Sequence, residues 1–376
     1  MKERSLGLYL HIPFCLAKCH YCDFCSFPAV GEEEKHVYAL ALAKELEAGA
    51  AAADGYTVDT IFLGGGTPTC LAPNDLLYLG ERIKACYPLA KEVEWTCEAN
   101  PATVTRATLS AMKSVGFNRI SLGMQSAFQN ELTCLGRVHT PADLHEAVAA
   151  IREAGYTNWN LDLMFGIPHQ TAAGFSAGLS EAIALGAPHL SVYSLQIEEG
   201  TPFYRDRATL PLPGEEEEEE MAAALYRQTE AAGYRRYEIS NFAKPGYECR
   251  HNLRYWRMHD YLGFGIAAHS CLGGRRFYNR ADLPAYLKAP TALREEEEVL
   301  TPAAREYETV MLGLRLADGI DEAAFSAAFG YGFYEKYGPR LRRFLASGHV
   351  THDGQRTCLS RSGMAVSNAI LAEILE

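Results

Sequence analysis

The sequence has no uninterrupted apolar run near the ~18 residues that a membrane-spanning helix requires. Its opening stretch, MKERSLGLYLHIPF, carries no apolar core with a small-residue cleavage site. Neither a membrane span nor export is expected, and the expected compartment is the cytoplasm. Positive charge is also scarce: 35 Lys and Arg stand against 47 Asp and Glu, a formal net charge of −12. That balance excludes a chain-wide field for nucleic acid or anionic lipid, and no nucleic-acid partner is expected. Disorder is excluded by the opposite measure, because 48% of the residues are hydrophobic, enough to bury a sizeable core.

What is present is a rhythm. From residue 7 onward, short apolar β-rich runs alternate with Gly/Pro/Asn/Asp turns and helical stretches. The strand candidates are LGLYLHI, DTIFLGG, VEWTCEA, NRISLGM, WNLDLMF, HLSVYSLQI and RRYEISN. Helical patterns lie near residues 33–53, 74–86, 105–115, 141–154, 172–185 and 216–232. Repeated βα units predict an α/β chain with a parallel sheet, closed or nearly closed as a barrel with helices outside. Chemistry is then expected at the C-terminal ends of the strands. The CxxxCxxC loop, GGGTP, EANP, GMQS and Asp162 all fall there.

Two acidic runs punctuate the chain. EEEEEE at 215–220 should open a helix, where carboxylates suit the positive end of the dipole. EEEE at 295–298 precedes a new helical pattern, TPAAREYETVMLGLRL. The expected division is therefore 1–293 and 294–376, the second unit being helices followed by a hairpin, a winged-helix-like arrangement.

Cysteines are spread thinly except at one place. CLAKCHYC puts Cys15, Cys19 and Cys22 on one short loop, with Cys25 three residues on. Four thiolates suit structural zinc. Three thiolates on a [4Fe–4S] cube leave one iron free for the amine and carboxylate of S-adenosylmethionine (SAM), whose reductive cleavage gives a 5′-deoxyadenosyl radical. The spacing alone does not separate the two. GGGTP favours the second, since glycines after a strand let backbone amides approach a bound nucleoside, which a zinc knuckle does not need.

At this point a resemblance becomes specific. YLHIPFCLAKCHYCDF, FLGGGTPT, EANP, SLGMQS with GRVH, DLMFGIP and SVYSLQIEEGTPF together resemble the radical SAM superfamily, and within it the coproporphyrinogen III oxidase-like (HemN-like) group. The resemblance covers nearly the whole chain. It implies a partial (β/α)6 TIM-type barrel with extra strands and a small C-terminal helical domain. It also implies Cys15, Cys19 and Cys22 as cluster ligands and Tyr9 beside the cluster. SAM contacts would come from Gly65, Gly66, Thr67, Glu98, Gln125, Arg137 and Asp162. Taken one by one, these residues have bland alternatives: an Arg137–Asp162 ion pair, a satisfied barrel glutamine at Gln125, core packing for Tyr9.

The group has oxidases, which decarboxylate coproporphyrinogen, and a HemW-type branch of haem chaperones. Resemblance to the chaperone branch rests on little chain ahead of Tyr9, on Phe24 where the oxidases carry a cysteine, and on CRHNLRYW at 249–256, similar to the branch's HNLxYW motif. It implies haem as a third ligand, with His251 as axial nitrogen, Tyr255 and Trp256 around it, and Cys249 as a second choice. A neutral imidazole beside aromatic rings suits an iron porphyrin; alternatively, His-Asn closes a turn and the rings pack a core. No Cys-x-x-Cys-His occurs for covalent c-type attachment. YLGFGIAAHS contains G-x-G-x-x-A, but without a supporting βαβ unit it is a weak dinucleotide signal. The resemblance further implies delivery of haem to acceptor haemoproteins, respiratory ones among them, at the inner face of the membrane, and allows a homodimer. A coproporphyrinogen oxidase, a radical SAM methyltransferase and a structural zinc protein stay open as alternatives.

Overall fold

The computed structural model describes residues 4–376, apart from the side chains of Glu296 and Glu297. Six parallel strands form its centre: β1 (Arg4–Ile12), β2 (Tyr56–Gly65), β3 (Leu89–Ala99), β4 (Arg119–Gln125), β5 (Asn158–Phe165) and β6 (His189–Ser194). They lie side by side in chain order. Between them run the helices α1 (Glu32–Gly49), α2 (Pro73–Cys86), α3 (Arg106–Val115), α4 (Pro141–Glu153) and α5 (Ala172–Ala184), and α6 (Glu215–Ala231) follows β6.

Side-chain alternation along the strands explains the layering. Ile120, Leu122 and Met124 of β4, like Leu161 and Leu163 of β5, are buried against the helical layer. The intervening residues turn the other way and are polar: Arg119 and Ser121 on β4, Asn160 and Asp162 on β5, Ser191 on β6. The outer layer is a greasy shell; the barrel interior is a lattice of hydrogen bonds. Helix starts follow local chemistry. Thr140 and Asp143 form a reciprocal capping box at α4, the Asp143 carboxylate accepting from Thr140 N–H at 2.7 Å.

The sheet extends at both ends. Beyond β6, β7 (Arg235–Arg236) and β8 (Asn241–Ala243) run antiparallel. The stretch RRYEISN is therefore not one strand: Glu238 accepts from Ser240 N–H at 3.1 Å and from the Asn241 side chain, folding the chain back on itself. Before β8 leads to β9 (Tyr261–Phe264), a short helix α7 (Arg250–Trp256) intervenes, and β9 adds parallel to β1. Then β10 (His269–Leu272), β11 (Arg275–Asn279) and β12 (Arg294–Val299) complete a 12-stranded sheet among the described residues. The strand β12 contains the acidic run expected to introduce the second unit. Two of its carboxylates face β11: Glu298 pairs with Arg276 at 2.8 Å and Glu295 accepts from Tyr278 OH at 2.8 Å. Cross-strand charge pairing overrides the poor strand propensity of glutamate.

After β12 come α8 (Pro302–Gly313), α9 (Glu322–Phe329), α10 (Phe333–Ala346) and α11 (Ser367–Leu375), with a small sheet of β13 (Ile320–Asp321), β14 (Val350–His352) and β15 (Arg356–Leu359). Val310, Phe325, Phe333, Leu341 and Ile370 form a hydrophobic cluster separate from the barrel's. No helix among the described residues is long and apolar enough to cross a membrane.

Candidate cluster and SAM cavity

The C-terminal ends of the parallel strands open into a cavity of about 520 Å³. Cys15, Cys19 and Cys22 line it, as do Gly65, Gly66 and Thr67, and Glu98, Gln125, Arg137 and Asp162. Ten of the sequence-derived positions thus converge from four strands and three loops. The cysteine loop is pinned from outside: His20 N–H donates to Leu135 O at 3.0 Å, and Phe203 N–H to His20 O at 3.0 Å. Hydrogen-bond donors point at two of the sulfurs, Thr67 Oγ1 at Cys15 Sγ (3.7 Å) and Arg137 at Cys19 Sγ (3.6 Å). Such donors stabilise thiolate ligands.

The glycine loop is held by backbone. Gly66 N–H donates to Ile12 O (2.9 Å) and Thr67 N–H to Phe14 O (2.7 Å), tying the loop to the approach to Cys15. Gly65 has φ +103°, and a Cβ there would lie 2.3 Å from the His11 ring. Its N–H donates to Glu98 Oε2 at 3.0 Å. Glu98 is buried and close to Asp162, and burial, reinforced by that neighbouring charge, pushes its pKa up to about 8. Asp162 is raised too, chiefly by burial, though Ser121 (3.3 Å) and Asn160 (2.6 Å) donate to it. Arg137 does not pair with Asp162; it donates to Gly123 O at 2.8 Å. Gln125 takes φ +61°, a left-handed conformation costly for a residue with a side chain.

Four sequence-derived positions, Tyr9, Cys25, Cys249 and His251, are placed elsewhere. Tyr9 lies behind Phe62 and bonds His11 Nδ1 at 3.0 Å rather than lining the cavity. Cys25 packs against the core, so the fourth thiol of the loop turns away from the other three. His251, expected to offer an axial nitrogen to haem, is 1% exposed. Its Nδ1 is 3.0 Å from Thr60 Oγ1, its Nε2 is 2.9 Å from Tyr255 OH, and Phe62 stacks on its ring at 5.2 Å. Burial, with Arg254 and Arg119 nearby, drives its pKa down to about 3. Both nitrogens are engaged, and ligation from this position would break two buried hydrogen bonds. Cys249 is fully buried, its thiol pushed up to about 12 by burial. It sits where α7 starts, and there the Glu94 carboxylate accepts from the N–H groups of Arg250 and His251, both at 3.0 Å.

Other residues of the cavity carried no motif. Arg119 is 2% exposed and its Nε has no partner; Ser121, Asn160, Ser191 and Asn252 also line the wall. Strand alternation alone could have found the first four: each occupies the polar phase of a strand whose other phase is apolar.

Residues 9–177 match the family model of the radical SAM superfamily, and residues 300–366 match the HemN C-terminal domain. "Heme chaperone HemW" of Bacillus subtilis is 35% identical over 98% of each chain. The chain belongs to the HemW family. The Escherichia coli HemW is likewise 35% identical, over 99% of this chain and 98% of its own. E. coli coproporphyrinogen III oxidase HemN superposes with a TM-score of 0.87 over 99% of this chain and 90% of the oxidase, at 23% identity, which shows a shared fold. The radical SAM domain of a HemW-family chain has a [4Fe–4S] cluster and SAM as its cofactors. The residues fit both. Among the described residues no three His, Cys, Asp or Glu side chains converge closely enough for a single metal ion. Cysteines spread around one cavity, two of them with donors aimed at sulfur, match a polynuclear centre instead.

The Glu98 pKa gives a stability signature. In the folded chain the carboxyl holds its proton to about pH 8, whereas unfolded it releases it near 4.5. The stabilisation is therefore complete below about 4.5 and is lost as pH rises towards 8, at up to about 1.4 kcal/mol per pH unit. Asp162 shifts in the same direction. Glu98→Gln should flatten this slope. Urea midpoints at pH 5.5 and 7.5 check it; an unchanged slope in the variant would locate the titration elsewhere.

Proposed function

We propose that this chain is a haem chaperone that binds a [4Fe–4S] cluster, SAM and haem and passes haem to acceptor haemoproteins. The observation that carries this reading is the match along the whole chain to relatives named heme chaperones. In this reading Cys15, Cys19 and Cys22 hold the cluster, and Cys25 does not. Gly65, Gly66 and Thr67 cradle the methionine and nucleoside parts of SAM, with Glu98, Gln125, Arg137 and Asp162 around them. Tyr9 supports the site from behind Phe62. When bound, the cluster supplies one electron to the sulfonium of SAM. The chain's own residues orient the ligand: backbone groups of the glycine loop approach it closely, Arg137 places positive charge at a cluster cysteine, and the protonated Glu98 can donate a hydrogen bond within the cavity.

His251 acts in this reading through α7, which it anchors on Thr60 of β2, so that the outer face of the HNLRYW segment is presented for haem. The division proposed is 1–293 and 294–376, supported by a first core cluster that runs to Leu293 and a second that starts at Val310. All eleven cysteines are free thiols, which supports a reducing compartment such as the cytoplasm. Leu16, Phe24 and Val138 make an exposed apolar rim around the cavity mouth, at 48%, 60% and 45% exposure. Such a rim suits a second copy of the chain or an acceptor protein.

Complete SAM-site residues favour one second reading, a coproporphyrinogen oxidase. A direct assay separates them. Purified chain titrated with haemin is expected to develop a Soret band. Incubated anaerobically with SAM, reductant and coproporphyrinogen, it should form no vinyl groups; vinyl formation restores the oxidase.

A further inference from the structure

Arg119 opens β4 and Gln125 ends it, so the arginine starts from a backbone position about 20 Å deeper in the barrel than the mouth. It lines the cavity and is 2% exposed. Among the described residues its guanidinium makes no hydrogen bond and no ion pair, and its Nε is buried without a partner. The residues beside it in register, Thr96 on β3 and Asn158 on β5, repeat the pattern: Thr96 Oγ1 and Asn158 Oδ1 are buried and unpartnered too. One row across three adjacent strands thus presents unsatisfied polar atoms at the barrel floor.

Two carboxyl groups are near enough to act on the Arg119 charge, Glu94 and Asp162. Neither bonds it. Glu94 accepts instead from the N–H groups of Arg250 and His251, both at 3.0 Å, and Asp162 from Ser121 at 3.3 Å and Asn160 at 2.6 Å. A buried cation with no hydrogen-bonded partner is among the costliest groups a fold can carry, and an apolar side chain of similar length would remove that cost. Stability given up in this way points to a ligand rather than to the fold. The planar fork of a guanidinium matches a carboxylate or a phosphate at two points. Glu94 and Asp162 decide between these, since acidic side chains already beside the fork disfavour a dianion and leave room for a single negative charge.

We propose that the barrel floor is a carboxylate seat, in which Arg119 holds by a two-point hydrogen bond the carboxylate of a small molecule lying beneath SAM. A SAM that meets the cluster commits its own carboxylate at the mouth. The floor therefore takes its carboxylate from a second molecule, either another SAM or a separate short organic acid. The inference goes beyond haem carriage and rests on the reading above only in placing the cluster and SAM at the mouth.

The test is thermal melting and calorimetric titration of the reconstituted full chain, wild type against Arg119→Met and Arg119→Lys, with succinate, its neutral diamide succinamide, and SAM. Without ligand, Arg119→Met should melt at or above the wild-type temperature, because an uncompensated buried charge has gone. Succinate should raise the wild-type melting temperature and succinamide should not. Both variants should bind succinate at least tenfold more weakly, the lysine one because it keeps the charge and loses the fork. If the carboxylate is that of another SAM, succinate is inert, the wild type binds two SAM molecules per chain and Arg119→Met binds one. The seat is overturned by a wild type that binds neither succinate nor a second SAM, or by Arg119→Met with wild-type succinate affinity and SAM stoichiometry. An Arg119→Met chain that melts well below wild type without ligand overturns it too, by making Arg119 structural. Succinate binding through Arg119 in a chain that takes up no SAM overturns the reading of the mouth and leaves the seat standing.

Discussion

Replacing Cys19 with serine is expected to leave a folded chain that retains almost no iron or sulfide after anaerobic reconstitution, against about four of each in the wild type. The loop around Cys19 is held by contacts that do not involve the thiol: His20 N–H on Leu135 O, His20 Nδ1 on Cys134 O at 2.9 Å, and Phe203 N–H on His20 O. Backbone placement therefore survives the substitution, and the effect falls on the centre. Arg137 would lose its sulfur partner at 3.6 Å and keep Gly123 O at 2.8 Å. Cys25→Ser is the counter-experiment. Its side chain packs against the core and not into the cavity, so the variant should hold the full cluster. Iron and sulfide analysis with the broad visible absorption of the cluster reads both. Loss of the centre in Cys25→Ser, or bound zinc without sulfide in the wild type, would turn the site into a four-thiolate structural one.

The contrast between these two cysteines marks where sequence reading stops. Spacing put four thiols within eleven residues of one another, and the parallel strands were legible because each has an apolar phase that must face the helices. Where the loops meet followed from barrel geometry: active groups gather at the C-terminal ends of strands. Direction within a loop is another matter. Whether Cys25 points inward depends on packing against residues far along the chain, and the partner that takes His251, Thr60, lies 191 positions away. A short motif records which residues travel together; it does not record which of them faces out. HNLRYW carries His251 within the helix, and the helix's docking on β2 decides that this histidine is covered. The acidic strand β12 escaped for a related reason, since glutamates read as solvated until Arg276 is known to lie opposite. Arg119 and Asn160 carry no motif and were accessible only through strand phase.

The most damaging single-atom addition is expected at the glycine loop. Gly66 has an ordinary φ, so backbone strain is not the issue; space is. A Cβ at this position would lie 2.7 Å from Ile12 O, 2.7 Å from Phe14 O and 2.8 Å from Phe14 N. All three neighbours are main chain and cannot swing aside as a side chain would. Gly66→Ala must push the loop off the strand end, straining or breaking Gly66 N–H to Ile12 O and Thr67 N–H to Phe14 O, 2.9 and 2.7 Å. Overpacking of this kind costs about 1–3 kcal/mol. Function should suffer more than stability, because Phe14 leads directly into Cys15 and Thr67 carries the hydroxyl aimed at that sulfur. One methyl group therefore displaces the SAM cradle and the first cluster ligand together. Expected are a lowered melting temperature, substoichiometric iron and SAM binding weakened by at least tenfold. Gly31→Ala, where an added Cβ meets nothing within 4 Å, is the matched control and should leave all three unchanged. A Gly66→Ala chain with wild-type iron content and SAM affinity would mean that loop and cysteines are not mechanically joined, and that the cradle lies elsewhere in the barrel mouth.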